Sequence, residues 1–344
     1  MVDASGLEES RKRNLFFLRC GLFSIVSTAL LFPAWYDPFL QQLWSFLKNR
    51  SLYNSSMWES FLTMFSYIIY EIFYTLLAIN PKEPCTRIDR RPGESVDVRN
   101  HTEVSGTSHL HRNGTVYIPS PRGRLREAII YAAPVIFLDL IMVKKFVGVS
   151  KEDIIRSGGY SLSSTNSSMD SVTRLEIQQT WKVPTLHNFS WSSPVQLVRA
   201  LPEAPPTSRQ IVIGVIGALV LYDFFFYVPH IAMHRFSLLW HFHKPHHKHA
   251  EIHVQVTNQY VRLSLTERLT LLASANIALH AMSAHPLTRT IFVPIFLYLL
   301  VENHCGLDLP YGYHRLLPSG WAAGPEEHAE HHRKGNVNFQ PYRE

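Results

Sequence analysis

The chain has 344 residues, 46% hydrophobic and 12% aromatic, and a formal charge of +6 with its 19 histidines neutral. The basic residues are spread through loops beside apolar runs, without an aromatic-interleaved basic stripe, so the charge suits an anionic membrane surface and argues against nucleic acid as a partner. Cys20, Cys85 and Cys305 are too few and too scattered for a disulfide framework or a zinc-thiolate site.

The first candidate membrane helix covers residues 15–36, with Arg11, Lys12 and Arg13 before it. No secretory cleavage pattern precedes it, so it is expected to stay in the mature protein. A second segment, 61–79, reads FLTMFSYIIYEIFYTLLAI and carries Glu71 in an otherwise apolar run. A third lies at 128–147. The fourth, 211–228, reads IVIGVIGALVLYDFFFYV and delivers the chain directly to His230. A less apolar pair follows at 269–281 and 287–301, joined by MSAHP; each falls short of the roughly 20 residues of a straight crossing. That pair reads equally as a hairpin that dips in and returns or as two spans.

The pattern predicts an all-α membrane protein with about four transmembrane helices, a shorter helical hairpin and a cytosolic histidine-rich helical cap. Three regions are expected: N-terminal membrane helices with a basic loop (1–125), a third membrane segment with a Ser/Pro-rich insertion (126–208), and a catalytic region (209–340). The basic N-terminus, the loop carrying Lys82, Arg87, Arg90, Arg91, Arg99, Arg122 and Arg124, and the stretch with Arg235, Lys244 and Lys248 fall on one side if four segments cross in turn. The positive-inside rule assigns that side to the cytosol, with Lys144 and Lys145 counting mildly against it. Sequons at Asn54, Asn166 and Asn188 fall on the opposite side, but those at Asn100 and Asn113 lie in the basic loop, so sequons do not set the orientation.

Residues 230–248, HIAMHRFSLLWHFHKPHHK, hold six histidines, and EEHAEHH follows about eighty residues later. His230 and His234 are four apart, one turn of a helix on one face. His243, His246 and His247 form an HxxHH pattern, with Pro245 near a helix start, and His328, His331 and His332 repeat it. Eight imidazoles exceed one four-coordinate zinc site and suit two metals with open positions. Imidazole serves zinc, copper, iron and nickel, so the count does not identify the metal. A lone histidine in an apolar chain is usually a hydrogen-bonded core or interfacial residue, and a histidine run can be no more than a basic surface patch; His241, His249 and His253 read that way. Matched triplets beside membrane segments do not.

The run DFFFYVPHIAMHRFSLLWHFHKPHHK, followed by ENHCGLDLP and EEHAEHH, resembles the fatty acid hydroxylase and sterol desaturase superfamily of membrane-bound non-haem di-iron enzymes, over about residues 211–340. Carried over, the resemblance makes His230, His234, His243, His246, His247, His328, His331 and His332 metal ligands. It adds His304 in HCGLDLP, where Leu307 replaces the usual aromatic. His285 in AHPLTR and, more weakly, His314 in YGYHRLLP are further candidates. Asp223, Glu302, Asp308, Glu327 and Glu330 lie within sequence reach as carboxylates that orient the imidazoles. Two features depart from the family pattern: the chain ends at NVNFQPYRE, and SLTERLT supplies Glu267 without the HP that often accompanies such a glutamate.

The resemblance implies two iron ions, dioxygen as co-substrate, and hydroxylation of a membrane sterol, sphingoid base or fatty acyl chain. Saturated C–H bonds offer no acid or base handle, so a redox metal is required. The same centre serves a desaturase, and a non-catalytic metal-binding protein or transporter is the competing class, although a transporter places its ligands near the membrane midplane. No haem or nucleotide motif is visible, so electrons are expected from a donor such as cytochrome b5 or a reductase. The resemblance implies the endoplasmic reticulum, with the histidines facing the cytosol. Phe224–Tyr227 and Trp240 either line a substrate route or pack and anchor as membrane aromatics.

Overall fold

A computed structural model describes residues 4–79, 86–87, 133, 136–137, 139, 142–143, 185–186, 201–244, 246–248, 264–340 and 342. Most of the third predicted segment, most of the two polar stretches, four of the sequons, Pro245, His249 and His253 lie outside these residues.

The described chain is built of α-helices. Helix α1 (Ala4–Leu31) begins earlier than the apolar run, because EESRKRN is itself good helix-forming sequence, and ends where Pro33 starts a 3₁₀ turn, Pro33–Trp35. Helices α2 (Asp37–Lys48), α3 (Ser51–Asn54) and α4 (Trp58–Ile79) follow. Next come α5 (Ser208–Arg235), α6 (Ser237–His243), a 3₁₀ turn His246–Lys248, α7 (Leu265–Ala281), α8 (Pro286–His304), α9 (Tyr313–Leu316) and α10 (Pro325–Lys334). Strand structure among the described residues is confined to two antiparallel two-residue ladders. Thr86–Arg87 (β1) pairs with Leu307–Asp308 (β4), and Met142–Val143 (β2) pairs with Thr185–Leu186 (β3).

Local chemistry sets the helix starts. Thr207 caps α5 by accepting the Gln210 N–H while Gln210 Oε1 accepts the Thr207 N–H, the reciprocal pair that satisfies two otherwise orphaned donors. Ser264 and Glu267 do the same for α7. Helix α8 starts at Pro286, whose missing N–H costs nothing at a first-turn position.

Helix α5 packs on α7 and α8, and α4 packs on α8. Ser208 Oγ and Arg209 Nε donate to the carbonyls of Ala29 and Leu30, tying the end of α1 to the start of α5, so the two helices run antiparallel. Midway along α1, Arg19 donates to the Arg315 carbonyl, which brings that part of α1 to the end of the bundle where α8 finishes. The opposite end is closed by α2, α3 and the α7–α8 turn, where buried Trp44 donates to the carbonyls of Pro202 and Glu203 and meets His285 edge-on.

Among the described residues, two helices are long and apolar enough to cross a membrane, Glu9–Leu31 and Ser208–Arg235. Each has about the length that a hydrocarbon core requires. The apolar side chains outside the core are not scattered. Phe16, Phe17, Phe23 and Ile25 on α1, Phe65, Ile68, Ile72 and Leu76 on α4, and Phe224 and Val228 on α5 are all half or more exposed. A water-soluble monomer rarely presents so much contiguous apolar surface, whereas lipid covers it at no cost, so the protein is membrane-associated.

Between α4, α7 and α8 lies a buried ion pair. The Arg289 guanidinium, 2% exposed, donates through Nε and Nη2 to the two oxygens of Glu59 at 2.8 and 2.7 Å, and through Nη2 to Asn276 Oδ1 at 2.7 Å. Replacing one partner leaves the other charge buried without its counterion. Arg289→Met is expected to destabilise the bundle by about 3–5 kcal/mol. Lys334→Met, at the exposed Glu330 pair, should leave thermal unfolding in detergent where it was.

Candidate metal centre

Five elements carry nine histidines to one end of the bundle. His230 and His234 come from the last turns of α5, His243 ends α6, and His246 and His247 sit on the following 3₁₀ turn. His304 ends α8, while His328, His331 and His332 line α10. Helix α10 is short and is defined at both ends. Pro325 occupies its first turn, the Glu327 carboxylate accepts the Gly324 N–H at 2.8 Å, and Gly335 closes it with φ +69° while donating to the His331 carbonyl. Acidic residues in its first turn and basic ones in its last complement the helix dipole.

The nine rings form two adjoining groups. One nitrogen from each of His230, His234, His243, His247 and His331 lies within 4.8 Å of all the others in that set. The same holds for His246, His304, His328 and His332. The HxxHH triplets are thereby divided. His243 and His247, four apart, join the group of five, and His246 between them joins the group of four. In α10 the roles reverse: His328 and His332 serve the group of four, and His331 serves the group of five. Neighbouring helical residues point about 100° apart while residues four apart share a face, so each adjacent pair of histidines straddles both groups. The His247 and His332 rings meet at the junction with centroids 4.6 Å apart.

Outer contacts determine which nitrogen is bare. His230 Nδ1 donates to the Phe339 carbonyl at 2.7 Å, His304 Nδ1 to Leu300 at 2.7 Å, and His331 Nδ1 to Val337 at 2.6 Å. His243 Nδ1 donates to Glu267 Oε1 at 2.5 Å. A carbonyl or carboxylate only accepts here, so in each neutral ring the proton is on Nδ1 and Nε2 keeps its lone pair. His331 Nε2 is buried without a hydrogen-bond partner, as are Nδ1 of His246, His247 and His332.

Inside the groups, His243 Nε2 faces His234 Nε2 at 3.0 Å and His247 Nε2 at 2.9 Å; His328 Nε2 faces His304 Nε2 at 3.0 Å and His332 Nε2 at 3.3 Å. Two nitrogens bound to one ion at roughly 2.0–2.1 Å, with an angle near 90–110°, stand roughly 2.9–3.4 Å apart. The donor set and its spacing therefore fit a pair of metal ions, one per group. Burying bare nitrogens against each other is unfavourable, and a shared cation relieves that.

Burial, reinforced by neighbouring imidazoles, holds His247 down to about 3 and keeps His243, His246, His328 and His332 well below the usual imidazole range. Burial also lowers His331. These rings are neutral near pH 7, as metal ligation requires.

The predicted orienting carboxylates are engaged elsewhere. Asp223 Oδ1 accepts the Tyr342 N–H, Glu302 Oε1 accepts the Tyr313 N–H, and Glu327 serves the start of α10. Asp308 pairs with His314 and Arg315, and Glu330 with Lys334. Among the described residues a carboxylate seen to orient a candidate ligand is that of Glu267, whose Oε2 accepts the Ser264 N–H at 2.6 Å while Oε1 holds His243. The SLTE capping signature was readable in the sequence. The second use of the same carboxylate was not, because it depends on α6 folding against α7.

His285 stands outside both groups: it caps α8 through Nδ1 and donates from Nε2 to the Ala204 carbonyl at 3.1 Å. His314 is likewise outside, 3.2 Å from Asp308, and His241 is exposed. Phe226 packs on His230 and Trp240 on His234 and His247, which makes both part of the wall around the five-histidine group; Phe224 instead faces outward.

Nine imidazoles in two adjoining groups at the end of a helical bundle are consistent with a histidine-based metal site. Residues 215–343 match the fatty acid hydroxylase family model. A cholesterol 25-hydroxylase-like protein of Danio rerio is 37% identical over 146 residues, covering 42% of this chain and 57% of the relative. The cholesterol 25-hydroxylases of Rattus norvegicus and Homo sapiens are 35% and 34% identical over 143 residues, each covering 41% of this chain and respectively 47% and 52% of the relative. The chain thus spans about half the length of the curated relatives it matches. No solved structure matches it. The family match, these relatives and the histidine motifs together support membership of the fatty acid hydroxylase and sterol desaturase superfamily.

Two outcomes follow from this arrangement. Histidines with depressed folded-state values bind fewer protons folded than unfolded, so stability is full above about pH 6.5 and falls as pH drops from there towards about 3, the His247 value. Unfolding of the metal-free protein followed from pH 7.5 to 5 should show that downward slope; a flat profile would mean the rings are not buried neutral. In the second test, Glu267→Ala is expected to weaken metal retention about 10–100-fold, measured by competition with a chelator.

Proposed function

We propose that the chain is a membrane-bound non-haem di-iron oxidoreductase that hydroxylates a membrane lipid. The observation carrying this reading is the convergence of nine neutral imidazoles into two adjoining groups at the end of a bundle whose outer surface is apolar. His230, His234, His243, His247 and His331 would hold one metal, and His246, His304, His328 and His332 the other. Iron bound there supplies the one-electron chemistry with dioxygen that breaking an unactivated C–H bond requires.

The protein's own part is placement and exclusion. Glu267 and the carbonyls of Leu300, Val337 and Phe339 lock four rings with Nε2 pointing inward, which pre-sets the donor geometry before any metal arrives. His331 is fully buried and the other eight rings are largely so, which keeps bulk water from the centre. The lipid-facing sides of α1, α4 and α5 let an apolar substrate approach from the bilayer while its polar end stays at the interface. Among sterols, sphingoid bases and fatty acyl chains, the relatives named for cholesterol 25-hydroxylation favour a sterol. Electrons would come from a separate donor of the cytochrome b5 or reductase kind, and the endoplasmic reticulum, with the centre on the cytosolic side, is the proposed location.

Purified protein incubated with dioxygen, a reducing system and a mixed panel of these lipids should yield a product heavier by one oxygen, and His331→Ala should abolish it. Loss of two hydrogens would make the activity a desaturation, while full iron occupancy with no lipid product would make the chain a metal-binding protein without turnover.

A further inference from the structure

The segment after α10 is used unevenly by the two histidine groups. Beyond Gly335 the chain turns back, and Asn338, itself at φ +51°, donates from Nδ2 to the Glu327 carbonyl at 3.1 Å. This folds residues 336–340 across the five-histidine group. Two alternate residues of the segment reach that group: the Val337 carbonyl accepts from His331 Nδ1, and the Phe339 carbonyl accepts from His230 Nδ1. The Phe339 ring packs against His234 and His331, with centroids 5.1 and 5.5 Å away.

The far end is pinned. The Tyr342 N–H donates to Asp223 Oδ1 at 2.9 Å, its carbonyl accepts the Ala323 N–H at 3.2 Å, and its ring, 7% exposed, is seated among Tyr222, Phe296 and Tyr313. In the four-histidine group, by contrast, His304 is oriented from within its own helix, by the Leu300 carbonyl.

We infer that residues 336–340 together with Tyr342 form a clamp that positions the five-histidine group alone, so that the two metal positions differ in how they are retained. The inference rests on the two-metal reading. In the four-histidine group the outer contact seen on helix backbone is that of His304, to the Leu300 carbonyl. At the other, two of five rings take their orientation from a segment tied down by Asn338 at the Glu327 carbonyl and by Tyr342, whose partner Asp223 is over a hundred positions away in the chain. Releasing the Tyr342 anchor frees the His230 and His331 rings to turn, and a ligand whose ring is free to turn binds metal more weakly.

The test uses the full chain in detergent, loaded anaerobically with ferrous iron alone and then mixed with excess chelator while release is followed over time. In Tyr342→Ala, one of two bound irons is expected to leave about 10–100-fold faster than in the unaltered chain while the other leaves at its former rate. Tyr342→Phe should restore slow release of both, because the Tyr342 hydroxyl has no hydrogen-bond partner among the described residues. Should Tyr342→Ala lose helical content by circular dichroism, Gly335→Ala takes its place: an added Cβ there meets nothing within 4 Å, yet the backbone at φ +69° disfavours it and loosens the turn into the clamp. Faster release of one iron supports the clamp; unchanged release of both, or equal acceleration of both, overturns it. Uptake of no iron by the unaltered chain overturns the two-metal reading and the clamp with it, whereas two irons that release alike in every variant remove only the clamp.

Discussion

The structure depends on one constraint: nine imidazoles, nearly all buried, must be packed with their lone pairs facing one another. Such a cluster is unfavourable as an apolar core, because several rings carry a buried nitrogen without a hydrogen-bond partner. A cation between the rings would relieve that cost. The rest of the local architecture serves that arrangement. Carbonyls of Leu300, Val337 and Phe339 and the Glu267 carboxylate take the outward Nδ1 protons, and burial keeps the rings neutral. The inward nitrogens stand at separations that a shared ion would impose.

The two ends of the bundle do different work. At one, α5 and α8 terminate in histidines and meet α6 and α10, so the centre is assembled where helices stop and side chains from several of them converge. At the other, Trp44, His285 and the turn between α7 and α8 close the bundle with neutral hydrogen bonds. Close to that turn the Arg289–Glu59 pair fixes the start of α4 against the start of α8, and the outward faces of α1, α4 and α5 are left to lipid. Ligands at the end of the apolar runs, and not midway along them, distinguish this arrangement from a transport path.

Much of the centre was legible as spacing. Four-residue intervals bring His230 to His234, His243 to His247 and His328 to His332, and the structure keeps each pair in one group. Helix limits were less legible: α1 extends back through polar residues that favour helix, and stops at Pro33 before the end of the apolar run. The choice of carboxylate was not legible at all. Five acidic residues close to the histidines in sequence are occupied elsewhere, and Glu267, more than twenty positions from His243, reaches it because α7 lies beside α6.

What the sequence by itself determined was therefore the chemistry: which side chains gather, that they are imidazoles in matched triplets, and that apolar helices surround them. Helical periodicity is a local property, so an interval of four places two rings together whatever the rest of the chain does. Only the tertiary structure decided how the nine divide into five and four, which ring nitrogen faces inward, and that residues 336–340 lie over one group and not the other. Those outcomes depend on contacts between residues tens to hundreds of positions apart, and nothing in local spacing encodes the packing angles that bring them within reach.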